Sequence, residues 1–403
     1  VLAILICIPS FLGAQEIPKY RIDPVQAYGG SVTEYFKEVE YIPLETTNES
    51  LFGEARKILI TGSSIVVYDY DTRSSLFFTA NGKFLKKIKE KENTYSRVYY
   101  DQPSQLVIII TDEYSTEKQY INYYSEAGIE IRKVQAQFTS VVKPQIVPIG
   151  AGYFASGSNF YLWNNQRPVD SSFGLIKIYR ENAPYKSLIP YNQKTNLAAS
   201  IFTGSVEVNG FIDNGTFYIG TPLENEIYKI TKDTAIKSAK LIFPFDQSFT
   251  EAIIKSKDRK MLEEIDKSIS GDTRKVLSVG NILFHNNLLF FKINTKAVNF
   301  ASGSESNTLR NFIYDTKNGK LVSFERINSD LLSYYLPITS INTTISGFVY
   351  FNGSFFTQIS SLKMFAEMEK NKSRNPQYPS VLREYFRTQT RKSNPVIVKM
   401  KLK

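Results

Sequence analysis

Leu76-Phe-Phe-Thr-Ala-Asn-Gly-Lys-Phe-Leu-Lys-Lys-Ile88 reads as an apolar strand, an Asn-Gly turn and a second, alternating strand. Asn-Gly between two such runs is the strongest short-range signal for a β-hairpin, because both turn residues must accept positive φ. The same phrase returns as Ile121-Asn-Tyr-Tyr-Ser-Glu-Ala-Gly-Ile-Glu-Ile-Arg-Lys-Val134 and as Phe312-Ile-Tyr-Asp-Thr-Lys-Asn-Gly-Lys-Leu-Val-Ser-Phe324. From Gly82 to Gly128 is a step of 46 residues, which suits a unit of four short strands. A repeat of this length built from hairpins predicts the blades of a β-propeller.

Working outward, the first blade takes Lys57–Ile60, Ile65–Tyr70, Ser75–Thr79 and Lys83–Ile88. The second takes Arg97–Tyr100, Gln105–Thr111, Lys118–Tyr124 and Ile129–Val134. A third runs from Gln145 to Ile189 around a long loop that holds Trp163, and a fourth from Gly204 to Phe243. The fifth spans Val276–Phe324, and a looser sixth spans Thr339–Ile359. Between the fourth and fifth, Phe249, Ile253, Ile254, Met261, Leu262 and Ile265 recur at helical spacing, so 247–269 is expected to be a helical insertion. Short helices are expected over Leu362–Lys370 and Ser380–Arg387. Phe36–Leu44 and Pro395–Leu402 alternate as strands at opposite ends of the propeller. A ring left open would expose unpaired strand edges, so these two are expected to pair and close it.

Composition agrees with an all-β chain. Of 403 residues, 14% are aromatic, including 28 Phe and 26 Tyr, and such side chains fit a pleated, half-buried surface. A charged fraction of 22% excludes a membrane-spanning bundle and a disordered chain. The formal charge of +10 comes from dispersed Lys and Arg, with denser runs at Lys83–Lys91 and Arg383–Lys403. No helix-turn-helix, RNP or zinc-finger pattern accompanies it, so nucleic acid is not an expected partner.

Val1 to Ala14 carries no charge and includes Leu2-Ala-Ile-Leu-Ile-Cys-Ile8. It falls short of the roughly 20 apolar residues that span a bilayer, and reads as the apolar part of a secretory signal cut after Ala14. Cys7, the only cysteine, lies inside it; Ile6 stands where a lipoprotein signal wants a small residue, which disfavours a lipid anchor there. A mature chain from Gln15 would then have no transmembrane span, disulfide, thiolate metal site or Cys nucleophile. Residues 15–35, with Pro18, Pro24 and Gly29-Gly30, read as an extended lead-in to a propeller over 36–403.

Three stretches carry a family likeness: Tyr41-Ile-Pro-Leu-Glu-Thr-Thr47, the hairpin Phe77-Phe-Thr-Ala-Asn-Gly-Lys-Phe-Leu85 and the closing Ser393-Asn-Pro-Val-Ile-Val-Lys-Met-Lys-Leu402. They resemble the six-bladed β-propeller family common in Bacteroidetes, a relative of NHL-type propellers. The resemblance covers the chain from about Phe36 and implies export, with function mostly unassigned. Family members often place a Gly-rich turn after the first hairpin; here that place holds Lys86-Lys-Ile-Lys-Glu-Lys-Glu-Asn-Thr-Tyr95.

Catalytic chemistry is sparsely signalled. His285 is the sole histidine, at a strand end beside a turn, so a multi-imidazole metal site cannot form. Asp69 and Asp71 lie two apart and would face the same way, and Asp112-Glu113 occupies the equivalent place one blade later. Such carboxylates could hold a cation or do acid–base work, but strand-end Asp more commonly satisfies its own turn. Tyr99, Tyr100, Tyr123, Tyr124, Trp163, Tyr334 and Tyr335 could stack on sugars, or simply pack between blades. The run Ala301-Ser-Gly-Ser-Glu-Ser-Asn307 reads as a loop tip. No Walker loop, dinucleotide fingerprint or nucleophile elbow is present, so no catalytic residue, cofactor or metal is named. The expectation is a monomeric, exported, non-catalytic binding propeller of the periplasm or cell surface, taking a glycan, peptide or envelope protein. The alternative is a carbohydrate-active lyase or hydrolase with acids or tyrosines at the channel mouth.

Overall fold

The computed structural model describes residues 16–403 except 54, 115, 117, 137–145, 158–172, 182, 192–195, 204–205, 207, 209–210, 214, 297–309 and 341–347. Trp163 and the run 301–307 lie outside the described residues. Six small sheets stand side by side as the blades of a propeller.

The chain opens with β1 (Lys19–Arg21), β2 (Tyr28–Ser31), the single-turn α1 (Val32–Tyr35) and β3 (Phe36–Pro43). Blade one is β4 (Ala55–Ile60), β5 (Ser64–Asp69), β6 (Ser74–Thr79) and β7 (Phe84–Lys89). Blade two is β8 (Thr94–Asp101), β9 (Leu106–Glu113), β10 (Lys118–Tyr124) and β11 (Glu130–Gln135). Blade three is β12 (Ile146–Gly150), β13 (Tyr153–Gly157), β14 (Phe173–Arg180) and β15 (Ala183–Tyr191), and α2 (Leu197–Phe202) follows it. Blade four contributes β16 (Phe217–Gly220), β17 (Glu226–Ile230) and β18 (Ala235–Ile242), and then come α3 (Glu251–Ile254) and α4 (Arg259–Ser268). Blade five is β19 (Val276–His285), β20 (Leu288–Thr295), β21 (Asn311–Asp315) and β22 (Leu321–Asn328). Blade six begins with β23 (Val349–Phe351) and β24 (Ser354–Ile359), leaves through α5 (Ser361–Lys370) and α6 (Ser380–Thr388), and returns as β25 (Val396–Leu402).

The last blade is completed from the other end of the chain. β25 pairs antiparallel with β3 over Val396↔Pro43 to Leu402↔Phe36, so the expected closing strands are the third and outermost strands of blade six. Asn394 locks this seam. It is buried, donates from Nδ2 to the carbonyls of Glu45 (2.8 Å) and Ser50 (2.9 Å), and accepts at Oδ1 from Phe52 N–H (3.2 Å). Gly82 sits against the same seam at φ +86°. A Cβ there would lie 2.2 Å from the Pro43 carbonyl, so only glycine fits the Asn-Gly turn.

The lead-in departs from the extended segment expected at 15–35. β1 adds in parallel to the rim of blade four through Lys19↔Lys240, and β2 to the rim of blade five through Tyr28↔Val322. Gly29 permits this, since a Cβ would come within 2.6 Å of the Arg326 carbonyl. Short parallel edge strands made of Lys, Tyr, Arg and Gly carry no alternating apolar signal, which is why the sequence pattern hides them.

Strand alternation builds the core. Along β5, Ile65 and Val67 pack toward blade six with Ile397 and Phe356, while Val66 and Tyr68 pack toward blade two with Val98 and Ile109. Each blade is thus apolar on both faces and covers its neighbours on both sides. Polar staples add to this packing. Glu126, in the β10–β11 turn, accepts from Gly62 N–H (3.1 Å), Ser63 N–H (2.9 Å), the Ser63 hydroxyl and the Tyr100 phenol (2.5 Å). Partial burial pushes its pKa up, but the donated bonds outweigh this and hold it below the ordinary carboxylate value.

Two stability predictions follow from these contacts. Asn394→Ala strands the Ser50 carbonyl and the Phe52 N–H, the Glu45 carbonyl keeping the Ser50 hydroxyl, and should cost about 2–3 kcal/mol in denaturant unfolding, whereas Lys399→Gln at the exposed Lys399–Glu40 pair should cost less than about 1 kcal/mol. A carboxyl with a depressed folded pKa contributes stability above its unfolded pKa of about 4.3 and loses it as pH falls through the folded value. Glu126→Gln should therefore destabilise by about 1–2 kcal/mol at pH 7, and the gap from wild type should narrow on going to pH 3.

Candidate functional site

Antiparallel order sorts the connections between strands onto two faces. Links from the first to the second strand of a blade, and from third to fourth, fall at one end. Links from second to third, and from one blade to the next, fall at the other. The first class is short: 61–63, 80–83, 102–105, 286–287 and 352–353. The second class carries α2 to α6, so all five helices share one face. The expected insertion at 247–269 is α3 and α4, and it packs with α2 through Ala198, Phe202, Phe249 and Leu262 rather than on the rim. Seven exposed large apolar residues also lie on connections of this face: Leu51, Tyr70, Tyr114, Phe245, Leu331, Leu362 and Val381, with Phe245 82% exposed.

The sequence-predicted acids lie at this end but do not converge. Asp69 is buried and caps its own turn, accepting from Asp71 N–H (3.2 Å), Thr72 N–H (3.2 Å) and the Thr72 hydroxyl (2.5 Å). The Asp71 carboxylate lies against Gly53. Glu113 accepts from the Thr116 hydroxyl at 2.9 Å. Asp112 accepts from Arg97 Nη2 (2.9 Å) and Gln119 Nε2 (2.6 Å) inside blade two. Each acid serves its own blade. Among the described residues, no group of three or more His, Cys, Asp or Glu is placed to hold a metal.

The central channel has two unlike ends. Near the short turns, aromatic side chains reach across it between blades that are not neighbours. Phe211, preceding β16, meets Tyr350 (5.7 Å between centroids) and Phe355 (5.8 Å) of blade six. Tyr100 of blade two meets Phe351 of blade six at 6.0 Å. His285 stands at the end of β19 with its ring 6.5 Å from that of Tyr350, as part of this aromatic floor. Toward the helix-bearing end, the innermost strands present polar groups. Lys57 of β4 is solvent-accessible, and its Nζ lies 4.0 Å from the centroid of the Tyr99 ring on β8. The protein walls around it, then the Arg97 charge, lower its pKa to about 8.

A cleft of about 150 Å³ opens between the outer strands of blades three and four. Tyr191 and Leu175 form one wall, Pro222 and Tyr228 the other, and Ala199 of α2 and Ile254 of α3 the lid side. Glu224 is its one carboxylate; displacement of water and then the neighbouring Glu226 raise its pKa. The size suits one sugar ring or one side chain, and the lining sets two tyrosines, Tyr191 and Tyr228, among the polar groups of Asn196, Thr221 and Glu224.

Comparison with known proteins gives these features a setting. The family model described as "Domain of unknown function (DUF4934)" matches residues 20–401. The chain belongs to the DUF4934 family. Among solved structures, a Bacteroides fragilis NCTC 9343 protein named "Putative exported protein" superposes with a TM-score of 0.60. It is 10% identical, over 96% of this chain and 99% of that one. A member of the DUF4221 family from Bacteroides vulgatus ATCC 8482 is also 10% identical, over 91% of this chain and 98% of that one, with a TM-score of 0.42. No curated protein matches the chain. The six-bladed fold expected from the Bacteroidetes resemblance is the one this DUF4934 member has.

Sequence reasoning missed Lys57, Arg97, Glu224 and Ile254 as site residues of this DUF4934 chain. Lys57 left only a faint trace, as part of the Arg56-Lys57 pair before Ile58-Leu-Ile60. The acids are predicted to be structural. Asp112→Asn leaves Arg97 uncompensated and should cost about 3 kcal/mol in unfolding; Asp69→Ala should cost about 1–2 kcal/mol through its turn.

Proposed function

We propose that the protein is an exported, non-catalytic binding propeller of the cell envelope, which takes a glycan, peptide or envelope protein on its helix-bearing face. The observation that carries this reading is the fate of the acids: those that could have done hydrolytic work are spent on hydrogen bonds within their own blades. The same face offers an aromatic cleft and exposed apolar side chains, which suit recognition without asking for chemistry. Export is supported by the uncharged stretch Val1–Ala14 and by the name of the Bacteroides fragilis relative. No helix among the described residues is long and apolar enough to cross a membrane.

Two measurements test this. Fractionation of cells expressing the full chain should recover it outside the cytoplasm with Gln15 at its N-terminus; retention in the cytoplasm would sink the export reading. A panel of acidic and neutral oligosaccharides and short peptides should include one that raises the melting temperature of the wild type. A ligand at 100 times its Kd adds about 2.7 kcal/mol to the folded state. Ile254→Arg at the cleft should abolish the response to a ligand seated there. Release of new reducing ends or unsaturated products from any oligosaccharide would overturn the non-catalytic reading.

A further inference from the structure

We propose that the helix-side half of the central channel is an anion site, in which Lys57 and Arg97 receive the carboxylate of a small monoacid. This rests on the reading that ligands approach from the helix-bearing face, and deepens it by naming a ligand class and a second place on that face.

The argument begins with uncompensated charge. Lys57 stands on the innermost strand of blade one, accessible to solvent, with Tyr99 beneath its ammonium and no carboxylate among the described residues to neutralise it. Arg97 stands on the innermost strand of blade two. Its Nη2 is bound to Asp112, but its Nε is buried and donates to nothing. Gln119 holds the far side of Asp112 and so fixes the Arg97 fork in place. Among the described residues, Lys57 and Arg97 set against Asp112 leave one excess positive charge, which matches a monoanion. A buried N–H with no acceptor costs about 1–3 kcal/mol, and a carboxylate oxygen bound between Nε and the Lys57 ammonium would satisfy it. At the far end, Phe211 meets Tyr350 and Tyr100 meets Phe351, so that end offers an anion rings and no cation from these four residues.

The ammonium is also poised to report the event. The elements packed against it carry Tyr68 and Asp69 on β5, Tyr95, Arg97, Tyr99, Tyr100 and Asp101 on β8 and Tyr350 on β23, with Glu90 and Asp112 behind them and Arg56 next to it in sequence; Asp69 is held by its own turn and Tyr100 by Glu126. Tyr68 is already bonded to Glu90 and Arg97 to Asp112, so Lys57 is the group left to answer an added charge. A bound carboxylate must stabilise its protonated form and raise its pKa from about 8.

The test is competitive amine labelling of the wild-type mature chain across pH 6–11, with Lys57 followed by peptide mass spectrometry. The probes are sodium acetate and sodium glucuronate, against methyl glucoside and potassium chloride at matched ionic strength. Without a carboxylate, the Lys57 midpoint should lie near 8, well below that of the surface lysines. With either carboxylate it should rise by about one pH unit or more, as expected for an opposite charge in contact; methyl glucoside and chloride should leave it in place. Glucuronate affinity should fall about tenfold from pH 7 to pH 9 as the ammonium loses its proton, and Lys57→Met should lose both the affinity and its pH dependence. A stronger response to glucuronate than to acetate would assign the carboxylate to a sugar acid. A Lys57 midpoint that neither carboxylate moves would overturn the proposal. Because this readout is confined to Lys57, it fails independently of export and of the response at the Ile254 cleft.

Discussion

Everything in this molecule depends on one strand pairing, that of β3 with β25 across the two ends of the chain. A propeller blade is apolar on both faces, so no blade is stable until it has a neighbour on each side, and a linear array of blades always leaves two faces uncovered. Closing the ring removes that deficit in one step. Here blade six takes three strands from the C-terminal part of the chain and its fourth from Phe36–Pro43, so the ring cannot close until the whole chain is present. The long sequence separation of this contact makes it slow to find and expensive in chain entropy. Asn394, Glu45 and Gly82 answer that cost by binding the seam through backbone groups.

The same segment does more than close the ring. Before reaching blade six, the chain lies in parallel along the rims of blades four and five, and thereby runs outside a third of the circle. Outer strands are where a propeller remains open to edge pairing with other molecules. The lead-in covers two of those edges with short strands carrying lysine, arginine and glycine, which make poor templates for further addition. Closure and edge protection thus come from one continuous stretch of about twenty-five residues.

How much of this could be read beforehand depended on which physical signal each element leaves. Blades one and two were legible nearly strand by strand, because Ile65-Val-Val-Tyr68 and Leu106–Ile110 bury both faces and their turns carry Gly82 and Gly128. The closing strands were legible because a ring of blades has to end somewhere. The parallel rim strands were not, since three residues of alternating polarity are not a pattern. The innermost part of blade four also escaped: Phe211 and Ile212 run without ladder pairing, and Phe211 serves the channel floor instead. The site was far less legible than the fold. Asp69 and Asp112 looked alike in sequence, and only their partners separate a turn cap from half of an ion pair. Lys57 shows no motif because its character comes from what surrounds it. A lysine in the mouth of a channel and a lysine on a rim are the same letter.

That distinction also explains where a propeller can keep a reactive or receptive charge. The rim is open to water, where lysines are screened and cheap, and the blade interfaces are too dry to hold an unpaired cation. The channel lies between these extremes. Water reaches it, so Lys57 can stand without a carboxylate partner, yet the walls are close enough to keep its charge from being fully screened. Glu126 staples blade two to blade one through Ser63, and Asp112 holds Arg97 within blade two, whereas the Lys57 ammonium has no such carboxylate among the described residues.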